Sequence, residues 1–153
     1  MGIEELRHAL SEHKLLALDT MVFCYHLAGH ARYAPLTRAV LEWIESGRAN
    51  GLTTTVTLAE VLTLPAQAAD LRAMQDYELY ITRFPHLQVV PLDADLARET
   101  ARVRAQLRLR MPDAVQVAAA RLYGADALVT NDRRWAGRVD TPPVLLLDDY
   151  LSP

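Results

Sequence analysis

The segment that most restricts what this chain can fold into is residues 109–135, LRMPDAVQVAAARLYGADALVTNDRRW. Pro112 and Asp113 suit a first helical turn. Proline has no amide hydrogen to lose there, and a carboxylate is favoured by the helix dipole. The spacing predicts a helix that runs to Tyr123 and stops at Gly124, a residue type common just past a helix end. Residues 125–129 (ADALV) read as a short buried strand, and Thr130-Asn131-Asp132 as the polar turn after it. A helix opened by one acid is thus followed by a strand closed by another. If the two are packed neighbours in a parallel sheet, both acids lie beyond the strand carboxyl ends, where open α/β sheets bind their ligands.

The same alternation runs through the chain. Ile3, Leu6 and Leu10 predict a short amphipathic helix over residues 3–13. Residues 15–18 (LLAL) form a buried strand ending at Asp19-Thr20. Residues 21–28 read as helical, with Gly29 at the end. Pro35 opens a clearer helix, with Leu36, Val40, Leu41 and Ile44 on one face and Gly47 past its end. Residues 51–54 are a weak second strand. Thr57 to Glu60 match the Thr-x-x-Glu capping box, which predicts a helix starting at Thr57, and Pro65 is expected to stop it. Asp70 caps a further helix through Phe84, and residues 88–90 are a third strand. An arginine-bearing helix follows to about Leu109. After the Pro142-Pro143 break, residues 144–147 are the last strand. Continuous apolar strands alternating with helices argue for an α/β fold with a parallel sheet covered on both faces.

The 153 residues suit one compact domain. No stretch approaches the ~20 uncharged residues that a membrane helix needs, and the charges between Met1 and Lys14 argue against a signal peptide. The single cysteine, Cys24, rules out an intrachain disulfide framework and a cysteine-based zinc site. It fits a reducing compartment, so a cytoplasmic protein with no membrane role is expected. A net charge of −3 does not announce a nucleic-acid binder. Yet Arg98, Arg102, Arg104, Arg108 and Arg110 come close together, and Arg121, Arg133, Arg134 and Arg138 follow. Such clustering serves phosphate contacts or a solvated helix face equally well.

Four acids occupy comparable places: Asp19 and Asp132 at strand ends, Glu60 and Asp113 in first helical turns. Singly, each has an ordinary explanation. Asp19 caps the next helix, Glu60 completes the capping box, Asp113 is a favourable first-turn charge, and Asp132 forms a turn. Together they would meet at one sheet edge. At an effective dielectric near 20, two carboxylates ~5 Å apart repel by roughly 3 kcal/mol, so the cluster calls for a cation. Hard oxygen ligands without nearby His or Cys point to Mg²⁺ or Mn²⁺. Such an ion can activate water, bridge a phosphate and stabilise a leaving oxygen, which is the chemistry of phosphodiester hydrolysis.

Other readings fail on particular residues. His26 and His30 have helical metal-pair spacing, but no Glu stands beside the first, and Gly29 interrupts the helix. A Gly-rich phosphate loop is absent. Met21 stands where a haloacid-dehalogenase type needs a second Asp, and Lys14, the only lysine, is too early for a response-regulator receiver. Trp135 reads as a packing residue rather than a base-stacking platform.

The residues LLALDT ending at Asp19, TTVTLAEVL carrying Glu60, MPDAVQVAAA carrying Asp113 and ALVTNDRRW carrying Thr130, Asn131 and Asp132 resemble the PIN-domain nucleases. Within them the chain looks like the VapC-type toxins of toxin–antitoxin pairs. The resemblance covers nearly everything from Leu15 to Leu147. It implies a three-layer α/β/α sandwich with a parallel sheet in the order 3-2-1-4-5. It implies an Mg²⁺- or Mn²⁺-dependent endoribonuclease that cleaves RNA, forms a homodimer and is inhibited by a cognate antitoxin. Asp19 and Asp113 would be principal metal ligands, Glu60 and Asp132 would complete the acidic pocket, and Thr130 would orient it with help from Asn131. Two departures stand out: Met21 replaces the usual Asn or Ser, and residues 1–14 form a helical extension before the domain at 15–153. A PIN domain that binds or scaffolds with little or no turnover is the alternative.

Overall fold

The computed structural model describes residues 2–152. Its strands are β1 (Leu15–Leu18), β2 (Asn50–Thr54), β3 (Leu87–Val90), β4 (Ala127–Thr130) and β5 (Val144–Leu146). They form one all-parallel sheet in the order 3-2-1-4-5, as the resemblance implies.

Side chains alternate across a strand, so each apolar run feeds two cores. Leu16, Leu18, Ala127 and Val129 enter one core with α1 (Ile3–Ser11), α2 (Thr20–Leu27), α3 (Ala34–Glu45) and the end of α5 (Leu71–Thr82). Ala17, Leu52 and Leu128 enter the other, under α6 (Ala94–Leu107), α7 (Met111–Leu122) and Trp135 of α8 (Arg133–Ala136). With both faces covered, the strands need no polar alternation. α7 presents Ala114, Val115, Val117, Ala118, Ala119 and Ala120 to the interior, small enough for the helix to lie close to the sheet. Helix α1 packs on α3 and on the 3-10 turn Leu147–Tyr150, and its Leu6 and Leu10 are fully buried within the first core.

Some boundaries differ from those expected. The helix after β2, α4 (Thr55–Gln67), starts at Thr55 rather than Thr57. Thr54 is extended and leads straight into it, and the Thr57 hydroxyl bonds to Thr53 and Gln116 instead of capping. Pro65 lies inside α4 rather than ending it; in the last turn it forfeits a single backbone hydrogen bond. β4 begins at Ala127, because the Asp126 carboxylate accepts from the Lys14 and Leu15 amides at 2.9 and 3.2 Å, at the opposite edge of the sheet. α6 ends at Leu107, with Arg108 turning the chain in the left-handed region at φ 54°.

Candidate active site

From β1 the chain moves to β2 and β3 on one side, then returns with β4 on the other. The β1/β4 boundary is therefore the topological switch point, where the carboxyl ends of the strands leave a crevice. Asp19 follows β1 directly and Asp132 follows β4 by two residues. α4 leaves the carboxyl end of β2, and α7 runs back from that edge to the start of β4, so the second turn of α4 and the first turn of α7 bring Glu60 and Asp113 to the same side.

Asp19 is buried, with 7% of its surface exposed. One carboxylate oxygen accepts from the Thr20 amide at 2.7 Å, capping α2, and the other from the Thr130 hydroxyl at 2.7 Å. Burial raises its pKa to about 6. The bonds from Thr130 and Thr20 oppose the rise, and the charges of Asp113 and Glu60 add to it. Asp19 thus caps a helix, as its ordinary explanation requires, yet a cap does not need a carboxylate buried among other acids.

A chain of contacts joins all four acids. The Thr20 hydroxyl donates to Glu60 at 2.7 Å, beside Asp19. Thr130, which donates to Asp19, accepts from the Asp132 amide at 3.1 Å. Asp132 is gripped by both edges of the Arg134 guanidinium, whose Nε lies 2.9 and 3.1 Å from its two oxygens. That pairing holds the Asp132 carboxyl below the usual carboxylate range. Arg134 also comes within 3.9 Å of Asp113, which Arg110 approaches at 3.4 Å.

Beneath the acids lies a buried polar layer absent from the sequence-based expectations. Gln116 donates to the Thr57 hydroxyl at 2.8 Å and accepts from Thr54 at 3.2 Å; Thr53 bonds Thr57 at 2.8 Å and the Leu18 carbonyl at 3.0 Å. The signal was present: Gln116 lies one turn after Asp113, a lone polar residue on an otherwise Ala/Val face. Arg134 is likewise a member of the pocket that no local sequence pattern marks. Asn131 points elsewhere. Its carbonyl oxygen accepts from the Asp148 amide at 2.9 Å and its amide donates to Tyr25 at 3.3 Å, tying β4 to the 3-10 turn. His26 and His30 diverge, the first stacking on Tyr80 and the second against Tyr25 and Tyr33. Trp135 is fully buried in the second core.

The donor set fits a hard divalent cation. It consists of carboxylate oxygens, and burial together with the charges of Glu60 and Asp19 pushes the nearby Cys24 thiol up, so it offers no thiolate. Asp19 carries its buried charge without a cationic partner among the described residues. As the side chains stand, no three His, Cys, Asp or Glu among the described residues converge as a closed cation cage. Arg134 neutralises one wall of the pocket instead.

Residues 16–140 match the family model of the PIN domain. No curated protein matches the chain. Among solved structures, a toxin–antitoxin complex from Klebsiella pneumoniae aligns with a TM-score of 0.65 at 19% identity, over 88% of this chain and 97% of that one. VapBC2 from Rickettsia felis, bound to a promoter DNA fragment, aligns at 0.68 and 14%, over 86% and 98%. VapC20 of Mycobacterium tuberculosis, a toxin that cleaves the sarcin–ricin loop, aligns at 0.61 and 20%, over 85% and 100%. At these identities the likeness is one of fold.

Proposed function

The chain belongs to the PIN-domain family, and we propose that it is an Mg²⁺- or Mn²⁺-dependent endoribonuclease acting as the toxin of a toxin–antitoxin pair. The observation that carries this reading is the unbroken run of contacts Glu60–Thr20–Asp19–Thr130–Asp132–Arg134–Asp113 at the β1/β4 crevice. Four acids linked along one ligand-binding edge, one of them buried at a cost, make an electrostatic arrangement that a bound cation would relieve.

Asp19 and Asp113 would hold the cation, with Glu60 and Asp132 completing its surroundings. When bound, it supplies charge to a phosphodiester and lowers the pKa of water at the pocket. The rest falls to the chain's own groups. Thr130 fixes the Asp19 carboxylate in one orientation through the 2.7 Å bond, and Thr20 does the same for Glu60. Gln116 and Thr57 brace the Thr20 hydroxyl from below, which holds the donor to Glu60 in place before any ligand arrives. Asn131 anchors the loop that carries Asp132.

A cognate antitoxin and a homodimer belong to the same reading. The toxin–antitoxin assemblies among the structures of like fold support the first, and the resemblance to VapC-type toxins supports both. No helix among the described residues is long and apolar enough to cross a membrane; a cytoplasmic site of action belongs to the proposal.

The test is incubation with a mixed RNA pool in Mg²⁺, Mn²⁺ and EDTA, beside Asp113→Asn. Cleavage that needs metal and vanishes in the variant is the expected result. If the wild type neither cleaves RNA nor gains thermal stability from either metal, the chain is a binding or scaffolding PIN domain instead.

A further inference from the structure

The acid pocket poses a problem for the reaction just proposed: a polyanionic strand must approach several carboxylates. Positive charge close to the pocket would solve it, and the fold sorts the chain's arginines with that result. Arg98 pairs with Asp95, and Arg102 with Glu99 at 3.1 Å, along the exposed face of α6. Arg121 is held by the Thr141 carbonyl at 2.8 Å and by Gln106 at 3.2 Å, while Arg133 pairs with Asp148 at 3.0 Å. Of the other five between residues 98 and 138, Arg104 stays on the exposed surface of α6, while Arg108, Arg110, Arg134 and Arg138 gather in one place. They line one small cleft with Leu109 and Trp135, and its other charged lining residue is Asp113. Even with Asp132 counted through its pair with Arg134, four positive charges face two negative ones.

The backbone supplies a second, independent observation. Arg108 sits in the left-handed region at φ 54°, ψ 40°, just past α6, where glycine is the unstrained choice. Its amide caps the helix onto the Arg104 carbonyl at 2.9 Å, and its own carbonyl accepts from Arg138 at 3.1 Å. No side-chain hydrogen bond or ion pair occupies its guanidinium among the described residues. A long cationic side chain is thus kept in a strained backbone position at the rim of the site, without an internal partner to explain it. Strain of this kind collects where a side chain is needed for function.

We propose that this cleft is the track for the phosphates of single-stranded RNA that flank the scissile one, with Arg108, Arg110 and Arg138 as the phosphate-binding groups. Arg134 stands where the track meets the acids. The buried Leu109 and Trp135 complete the lining of the cleft. The proposal rests on the nuclease reading and adds the direction from which the strand enters.

The experiment is equilibrium binding of a labelled single-stranded RNA oligonucleotide in EDTA, so that nothing is cut, across a range of salt concentrations. Each lost phosphate contact lowers the slope of log K against log salt by about 0.7, which at about 50 mM salt is roughly an eightfold loss of affinity relative to 1 M. Arg108→Gly should show that loss with thermal stability unchanged or raised, because glycine fits the backbone there. Arg138→Gln should show a similar loss, and Arg108→Gly/Arg138→Gln about twice the change in slope. Arg98→Gln, on the paired face of α6, should bind like the wild type. Wild-type affinity and slope in Arg108→Gly and Arg138→Gln would overturn the track and leave the cleft to another partner, such as an acidic peptide. An equal loss in Arg98→Gln would overturn it too, as attraction spread over the surface. A wild type that binds no RNA at low salt would overturn the nuclease reading itself.

Discussion

Replacing Asp19 by Asn should stabilise the metal-free protein at neutral pH, although the side chain caps a helix and makes two short hydrogen bonds. The reason is the price of burying its charge. The carboxyl has an ordinary pKa of 3.8 and one of about 6 in the folded protein, principally because burial strips its water. A difference of about two units corresponds to about 3 kcal/mol by which folding is penalised when the group is ionised in both states. The penalty is in full force above pH 6, shrinks as pH falls from 6 to 3.8, and is gone below 3.8, where both states hold the proton. Asparagine has the shape of the protonated acid and keeps an acceptor for the Thr20 amide. It loses the acceptor for the Thr130 hydroxyl, at a cost of about 1 kcal/mol.

The net expectation is that Asp19→Asn is about 2 kcal/mol more stable than the wild type at pH 8 in EDTA, or about 4–8 °C in Tm for a chain of this size. The advantage should vanish, or turn slightly negative, by about pH 4. Urea unfolding of both proteins at several pH values measures it, because acid effects common to the two cancel in the difference. Addition of Mn²⁺ at pH 8 should then reverse the order, stabilising the wild type and leaving the variant unmoved. If Asp19→Asn is the less stable protein at pH 8, or if the difference does not vary with pH, the carboxylate is compensated within the fold and the argument for a cation is refuted.

Two further outcomes follow from the geometry. Arg134→Gln frees Asp132 and one approach to Asp113 from a competing guanidinium. It should tighten Mn²⁺ binding by a few-fold at most by calorimetric titration, because the guanidinium it removes is exposed and screened by solvent; unchanged or weaker binding would mean that Arg134 does not compete with the ion. Asn131→Ala removes the ties to the Asp148 amide and to Tyr25 while leaving every carboxylate in place. It should cost about 1–2 kcal/mol in urea unfolding with metal affinity within twofold of the wild type, whereas a large loss of metal affinity without loss of stability would place Asn131 in the pocket.

The reading of Asn131 marks where sequence and structure part. Positions set by backbone periodicity were legible: LLAL is a strand as read, ADALV holds one shifted two residues at its start and one at its end, Pro112-Asp113 starts a helix, and Gly124, at φ 75°, ends it. Once strands and helices alternate, the acids at their ends fall at one edge, whatever the loops between them do. What could not be read is which way a side chain turns when several partners compete for it. Thr57 and Glu60 match a capping box letter for letter. Both are diverted, Thr57 to Gln116 and Glu60 to Thr20, because β2 runs directly into α4 and starts the helix earlier. Those partners are 59 and 40 residues away, beyond the reach of any local pattern. The same holds for the arginines. Their clustering in the chain served two uses equally well, and only the turn at Arg108 and the placement of α8 beside α7 separate those paired along a helix from those left facing the site. The diversion of Glu60 weighs against its ordinary explanation. A glutamate needed to cap α4 would be held at that helix's own amides, whereas this one is exposed and held from across the crevice by the residue next to Asp19.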